Sequence, residues 1–191
     1  MSDIVYSIVE DKALPERRIL AVLVDNEFGT LNRVVGLFSS RGYNIESLTV
    51  APVDEENRLS RITVVTTGSE QVVGQIKALL DRMVPVHGVY DLTVEGAHVE
   101  RELVLVKVEG TGRNRVEALR IAEIFRAHVV DATTDSFIFE LTGTSEKLNA
   151  FVDIMRPLGL SNIARSGVVG MFRGSGGVVR KGHRRMRDLR Q

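Results

Sequence analysis

Cysteine is absent from the 191 residues, which excludes disulfides, thiol nucleophiles and Cys-based metal sites while saying little about compartment. Membrane-length apolar runs are absent too; the longest, residues 19–24, has the size of a strand. The N-terminus lacks the basic-then-apolar order of a secretory signal. A cytoplasmic protein with no redox chemistry of its own and no membrane attachment is expected. Neither charge sign is in excess, with 25 Lys+Arg against 25 Asp+Glu, but the balance is uneven. Residues 173–191 hold seven Lys/Arg and one acid, so residues 1–172 carry a net charge of −6.

Catalytic groupings are missing as well. His87, His98, His128 and His183 are scattered, with no two at the spacing of helical metal ligands, so no metal site is expected. Gly110-Thr111-Gly112 and Gly174-Ser175-Gly176-Gly177 complete neither a P-loop nor a dinucleotide fingerprint, and read as a turn and a linker. Ser166 has no recognisable base or oxyanion partner. No catalytic residue is assigned, and a chain that is not an enzyme by itself follows.

What is present is periodicity. Residues 18–24 form a nearly unbroken apolar run, as in a buried strand, and Leu31, Val34, Val35 and Phe38 then recur at helical spacing. Residues 45–52 and 59–67 read as a strand pair. Val72, Val73, Ile76, Leu79, Leu80 and Met83 mark a second helix, which Pro85 stops before a short strand at 86–92. The order βαββαβ is the ferredoxin-like unit, with two helices on one face of an antiparallel sheet.

The pattern then repeats. A strand at 103–108 leads into a helix carrying Val116, Leu119, Ala122 and Phe125. Strands at 128–132 and 137–142 follow, then a helix capped by Ser145, and last a single strand at 163–171. The expected fold class is α+β, two ferredoxin-like βαββαβ domains over 17–94 and 100–172, with flexible tails at 1–16 and 173–191. A sheet with both helices on one side leaves its other face open, and an open face or free edge strand invites a partner. A homodimer pairing first domains edge to edge is expected. The basic run at 180–187 has no aromatic residue to stack bases, so no nucleic-acid partner is expected.

Two turns in the first unit stand out. Asp25-Asn26-Glu27-Phe28-Gly29-Thr30 closes the first strand and opens the first helix, where unpaired N–H groups and the helix dipole favour a carboxylate. Arg41-Gly42-Tyr43-Asn44-Ile45 leads into the second strand. Taken singly, each is an ordinary turn with a cap nearby. Both are expected to lie at one end of the sheet, where Asn26, Asn44 and Gly29 would surround a helix N-terminus with the donors and acceptors that a zwitterionic amino acid requires.

These landmarks resemble the small regulatory subunits of acetolactate synthase, which begin with an ACT domain. The resemblance covers roughly residues 17–173. It rests on Arg18-Ile19-Leu20, Asn26-Glu27-Phe28-Gly29, the run 41–50, Gly96-Ala97-His98-Val99-Glu100-Arg101-Glu102, and Ala164-Arg165-Ser166-Gly167-Val168-Val169-Gly170. It implies a dimer that activates a separate catalytic large subunit of branched-chain amino acid biosynthesis and confers feedback inhibition by valine bound between paired ACT domains. Valine would be met by Asn26, Gly29 and Asn44, with Phe28, Thr30, Leu31 and Ile45 as neighbours. Thiamine diphosphate, Mg²⁺ and flavin (FAD) would belong to the partner, with no cofactor in this chain. The alternative is a stand-alone amino-acid-sensing regulator of another enzyme or of transcription, although no DNA-reading helix-turn-helix is visible.

Overall fold

The computed structural model describes residues 14–175, 177 and 178; of the tails expected at 1–16 and 173–191, residues 1–13, 176 and 179–191 lie outside the described residues. The first sheet contains β1 (Glu16–Asp25), β2 (Ser47–Asp54), β3 (Leu59–Gly68) and β4 (Val86–Asp91), all antiparallel in the order β2-β3-β1-β4. Helices α1 (Thr30–Arg41) and α2 (Glu70–Asp81) cover one face. Leu20, Val22 and Val24 of β1 meet Val34, Phe38, Val73, Ile76 and Leu80 there. The alternate residues Ile19 and Ala21 are also buried, on the opposite face. Burial on both faces explains why β1 shows no polar alternation.

The second sheet repeats the plan with β5 (His98–Glu109), β6 (His128–Ala132), β7 (Ser136–Gly143) and β8 (Leu160–Arg165), in the order β6-β7-β5-β8. Helices α3 (Gly112–Phe125) and α4 (Ser145–Met155) close its core around Phe139, Leu141, Leu148 and Phe151. Both units are ferredoxin-like, as the periodicity implies. Phe125, Phe139 and Phe151 meet through tilted and edge-on contacts, the ring centroids of Phe125 and Phe151 being 5.3 Å apart.

Three local expectations need correction. The cap of α4 is Thr144, whose hydroxyl accepts from the Lys147 N–H at 3.4 Å; the Ser145 hydroxyl instead donates to the Glu102 carboxylate at 3.0 Å. Thr144→Ala should therefore cost about 1 kcal/mol in denaturant unfolding. A larger loss from Ser145→Ala than from Thr144→Ala would reverse the assignment.

The last strand is two strands. Gly167, at φ 81°, breaks the run, and β9 (Val169–Phe172) leaves β8 to pair with residues 98–101 of β5. The first strand of the second sheet is correspondingly longer than its apolar core, because its polar start at 98–101 is held by pairing with β9.

The third correction concerns the open face of the first sheet. Val168 is buried there against Ile19, Ala21, Val65 and Leu92, and the Phe172 ring meets Tyr90 edge-on at 6.5 Å. An ion pair from Arg17 to Glu100 at 2.8 Å links the two units as well. Part of the face remains accessible beyond β9, where Val53, Val169 and Met171 are exposed around an apolar groove.

Candidate functional site

The junction after β1 is built almost entirely from backbone hydrogen bonds. The Asp25 N–H donates to the Pro85 carbonyl at 2.9 Å, and its carboxylate lies 2.6 Å from His87 Nε2. The Asn26 N–H donates to the Arg58 carbonyl at 2.7 Å, tying the junction to the β2–β3 turn. Within that turn, hydrogen bonds from Asn57 hold the Asp54 carboxyl below the usual carboxylate range. Arg58 adopts φ 50°, uncommon for a side-chain-bearing residue.

Gly29 is the N-cap of α1 at φ 81°, a conformation that costs glycine little. No side chain caps this helix and no acid stands in its first turn. The Thr30 N–H reaches back to the Glu27 carbonyl at 3.3 Å. By helix geometry the N–H groups of Leu31 and Asn32 have no partner inside the helix, so a positive helix end faces outward. Thr30 is buried, Leu31 packs on the helix-side core, and Asn26, Phe28 and Gly29 are exposed. Asn26, Glu27, Phe28 and Arg58 line a shallow cavity beside this end.

Asn44 and Ile45 are elsewhere. The Asn44 carbonyl accepts from the Thr66 hydroxyl at 2.6 Å, its side chain is exposed, and Ile45 packs against the core. In the ladder, Asp25 lies opposite Leu59, whereas Ser47 lies opposite Val65, which in turn faces Ile19. Six residues of strand separate the two levels, roughly 20 Å at the usual rise. The expectation that both turns share one end of the sheet is therefore wrong for a single chain. Helix α1 carries the chain back to the start of β1, so β1 and β2, both antiparallel to β3, run the same way.

The sheet order supplies what the single chain lacks. β2 is an edge strand, with Val50 and Val53 about half exposed. If two copies of β2 pair antiparallel, the end of one meets the start of the other. The Asn26–Leu31 junction of one copy then faces Asn44 and Ile45 of its neighbour. Sequence reading also missed Ser47, Thr49 and Gly167, which join the two units beside Asn44; the motif at 164–170 was visible, but its partner was not.

Among the described residues no group of three or more His, Cys, Asp or Glu is placed to hold a metal, and no helix is long and apolar enough to cross a membrane. Comparison with known proteins gives consistent matches. A family model described as the small subunit of acetolactate synthase matches residues 101–174, and one described as an AHAS small subunit-like ACT domain matches residues 20–87. The acetolactate synthase isozyme 3 small subunit of Salmonella typhimurium is 52% identical over 159 residues, covering 83% of this chain and 96% of that protein. The acetolactate synthase small subunit of Haemophilus influenzae is 46% identical over 164 residues, covering 85% and 99%. The crystal structure of the acetolactate synthase small subunit from Thermotoga maritima superposes with a TM-score of 0.76 at 31% identity, covering 84% of this chain and 99% of that one.

Proposed function

Because this chain belongs to the acetolactate synthase small-subunit family, we propose that it forms a cytoplasmic homodimer that senses valine, activates the catalytic large subunit and confers feedback inhibition on it. Thiamine diphosphate, Mg²⁺ and FAD belong to that partner. The observation that carries the valine reading is the division of the polar inventory between the two ends of a sheet whose edge strand is free to pair.

In the paired dimer, the valine carboxylate meets the unpartnered N–H groups at the start of α1, where no acid opposes it. Its ammonium meets the Asn44 side-chain oxygen or a backbone carbonyl of the neighbour, and Asn26 completes the polar shell. Ile45 and Leu31 supply apolar surface for the isopropyl group. The fully exposed Phe28 ring stands at the rim, where a ligand or a second copy covers it.

A ligand bound by two chains favours the arrangement that brings them together. Inhibition then amounts to a coupling free energy of typically about 1 to 3 kcal/mol, enough for several-fold regulation.

Val50→Lys tests the pairing, since it places a like charge on both edge strands near the dyad. Sedimentation should show a monomer, and calorimetry should show valine affinity reduced at least about 30-fold, because neither half of the site suffices. A monomeric variant that binds valine as tightly as the wild type would mean that the site lies within one chain.

A further inference from the structure

The segment from Ser166 to Phe172 touches both units at once. On one side the Val168 N–H donates to the Ser47 hydroxyl at 2.8 Å, the Thr49 hydroxyl donates to the Val168 carbonyl at 3.1 Å, and the Arg61 guanidinium donates to the Gly170 carbonyl. Burial there pulls the Arg61 pKa below its ordinary value, and its Nε has no partner. On the other side, the Ser166 hydroxyl accepts from the Leu103 N–H and the Ser166 N–H donates to the Leu103 carbonyl, both at 3.0 Å, while Val169–Phe172 pairs with β5.

The fit leaves no slack. A Cβ on Gly167 would lie 2.9 Å from both the Ser47 hydroxyl and the Thr49 methyl, and a Cβ on Gly170 would lie 2.8 Å from Leu92. Ser47 opens β2, three residues beyond Asn44 in the turn before it. A displacement of that strand end must either carry Val168 with it or break two hydrogen bonds to it.

We propose that residues 166–172 are the link through which effector occupancy at the start of β2 is transmitted to the second unit, with Ser47, Thr49 and Gly167 as its coupling residues. The proposal rests on the valine reading above. A ligand that draws Asn44 toward the neighbour's helix end shifts Ser47, and Val168 passes that shift along the segment to Ser166, which is bonded to Leu103 of β5. The second unit thereby registers occupancy of a site to which it contributes no residue.

Two variants test the link in the enzyme reconstituted from this chain and its catalytic subunit. Gly167→Ala forces the segment away from Ser47 and Thr49. The double variant Ser47→Ala/Thr49→Val removes both hydroxyls while keeping the backbone free of strain. Calorimetry should show valine affinity within twofold of wild type, while maximal inhibition at saturating valine falls below half of the wild-type value. Valine should slow hydrogen exchange of the Val168 amide at least tenfold in the wild type and leave it unchanged in the double variant. If Gly167→Ala fails to fold, the double variant decides alone. Full inhibition by valine in the double variant would overturn the link, and so would loss of valine binding there, which would make Ser47 and Thr49 part of the binding site. A wild type that neither binds valine nor is inhibited by it would overturn the reading beneath the proposal, an outcome visible before any variant is made.

Discussion

Gly29→Asp is expected to abolish valine binding while leaving the chain folded and able to activate its catalytic subunit. Space is not the obstacle, because a Cβ at Gly29 would meet nothing within 4 Å. The left-handed conformation at φ 81° costs aspartate about 1 kcal/mol, less than most residues, since its short polar side chain tolerates this region. A carboxylate at an N-cap also accepts from the first N–H groups of the helix, so α1 itself is supported. Those same N–H groups are the ones that the proposed site offers to valine. The variant thus fills the carboxylate's seat and repels the ligand's charge, and the loss should exceed about 2 kcal/mol, roughly 30-fold in affinity. Loss of activation together with binding would indicate misfolding instead.

The shared geometry permits a sharper version of this experiment. Asn44→Ala alone should weaken valine binding by on the order of 1 kcal/mol through one lost polar contact. In a heterodimer of Gly29→Asp with Asn44→Ala, one site carries both substitutions and the other carries neither. Mixed subunits should therefore recover wild-type affinity at half of the heterodimer's sites. If each site belonged to one chain, mixing would recover nothing.

The largest effect on stability is expected at Gly159. It ends the short turn Arg156–Leu158 at φ 106°, and its carbonyl accepts from the Glu109 N–H at 2.8 Å. A Cβ there would lie 2.0 Å from the Glu109 carbonyl oxygen. That contact is between backbone atoms, so no side chain can swing aside, and β8 would have to separate from the end of β5. Gly159→Ala should destabilise the chain by about 3 kcal/mol or more, lowering the thermal midpoint by roughly 10 °C. A midpoint within 2 or 3 °C of wild type, about the effect of 1 kcal/mol, would show that the turn relaxes freely.

Much of this architecture is legible in the residues. The period of Val73, Ile76 and Leu80 and the unbroken run at Ile19–Val24 follow directly from which faces are buried. What fails is anything that depends on which distant segments meet. The ladder start at 98–101 is too polar to read as strand, because what holds it is β9, seventy residues later. The burial of Ile19 and Ala21 is predictable as burial, but its agent, Val168, lies 149 and 147 residues away.

The site shows the same division. Asn26, Gly29 and Asn44 stand out by type and by their turns. Placing both turns at one end overlooks that a strand–helix–strand passage returns the chain to its starting level before β2 begins. The register of β3 against both neighbours puts the two turns at opposite ends of the sheet, which is why the proposed valine site calls for two chains.

The position of Val168 also bears on how the chain is made. The first sheet has all its strands once Asp91 has been synthesised, yet the cover for Ile19, Ala21, Val65 and Leu92 arrives only with residues 168–172, some 80 residues later. At about 5 to 20 residues per second, the nascent first unit leaves the ribosome with a bare apolar face for several seconds. During that interval it is a substrate for any chaperone that binds exposed β-sheet, and a chain truncated before Val168 would keep that face sticky and half-clothed.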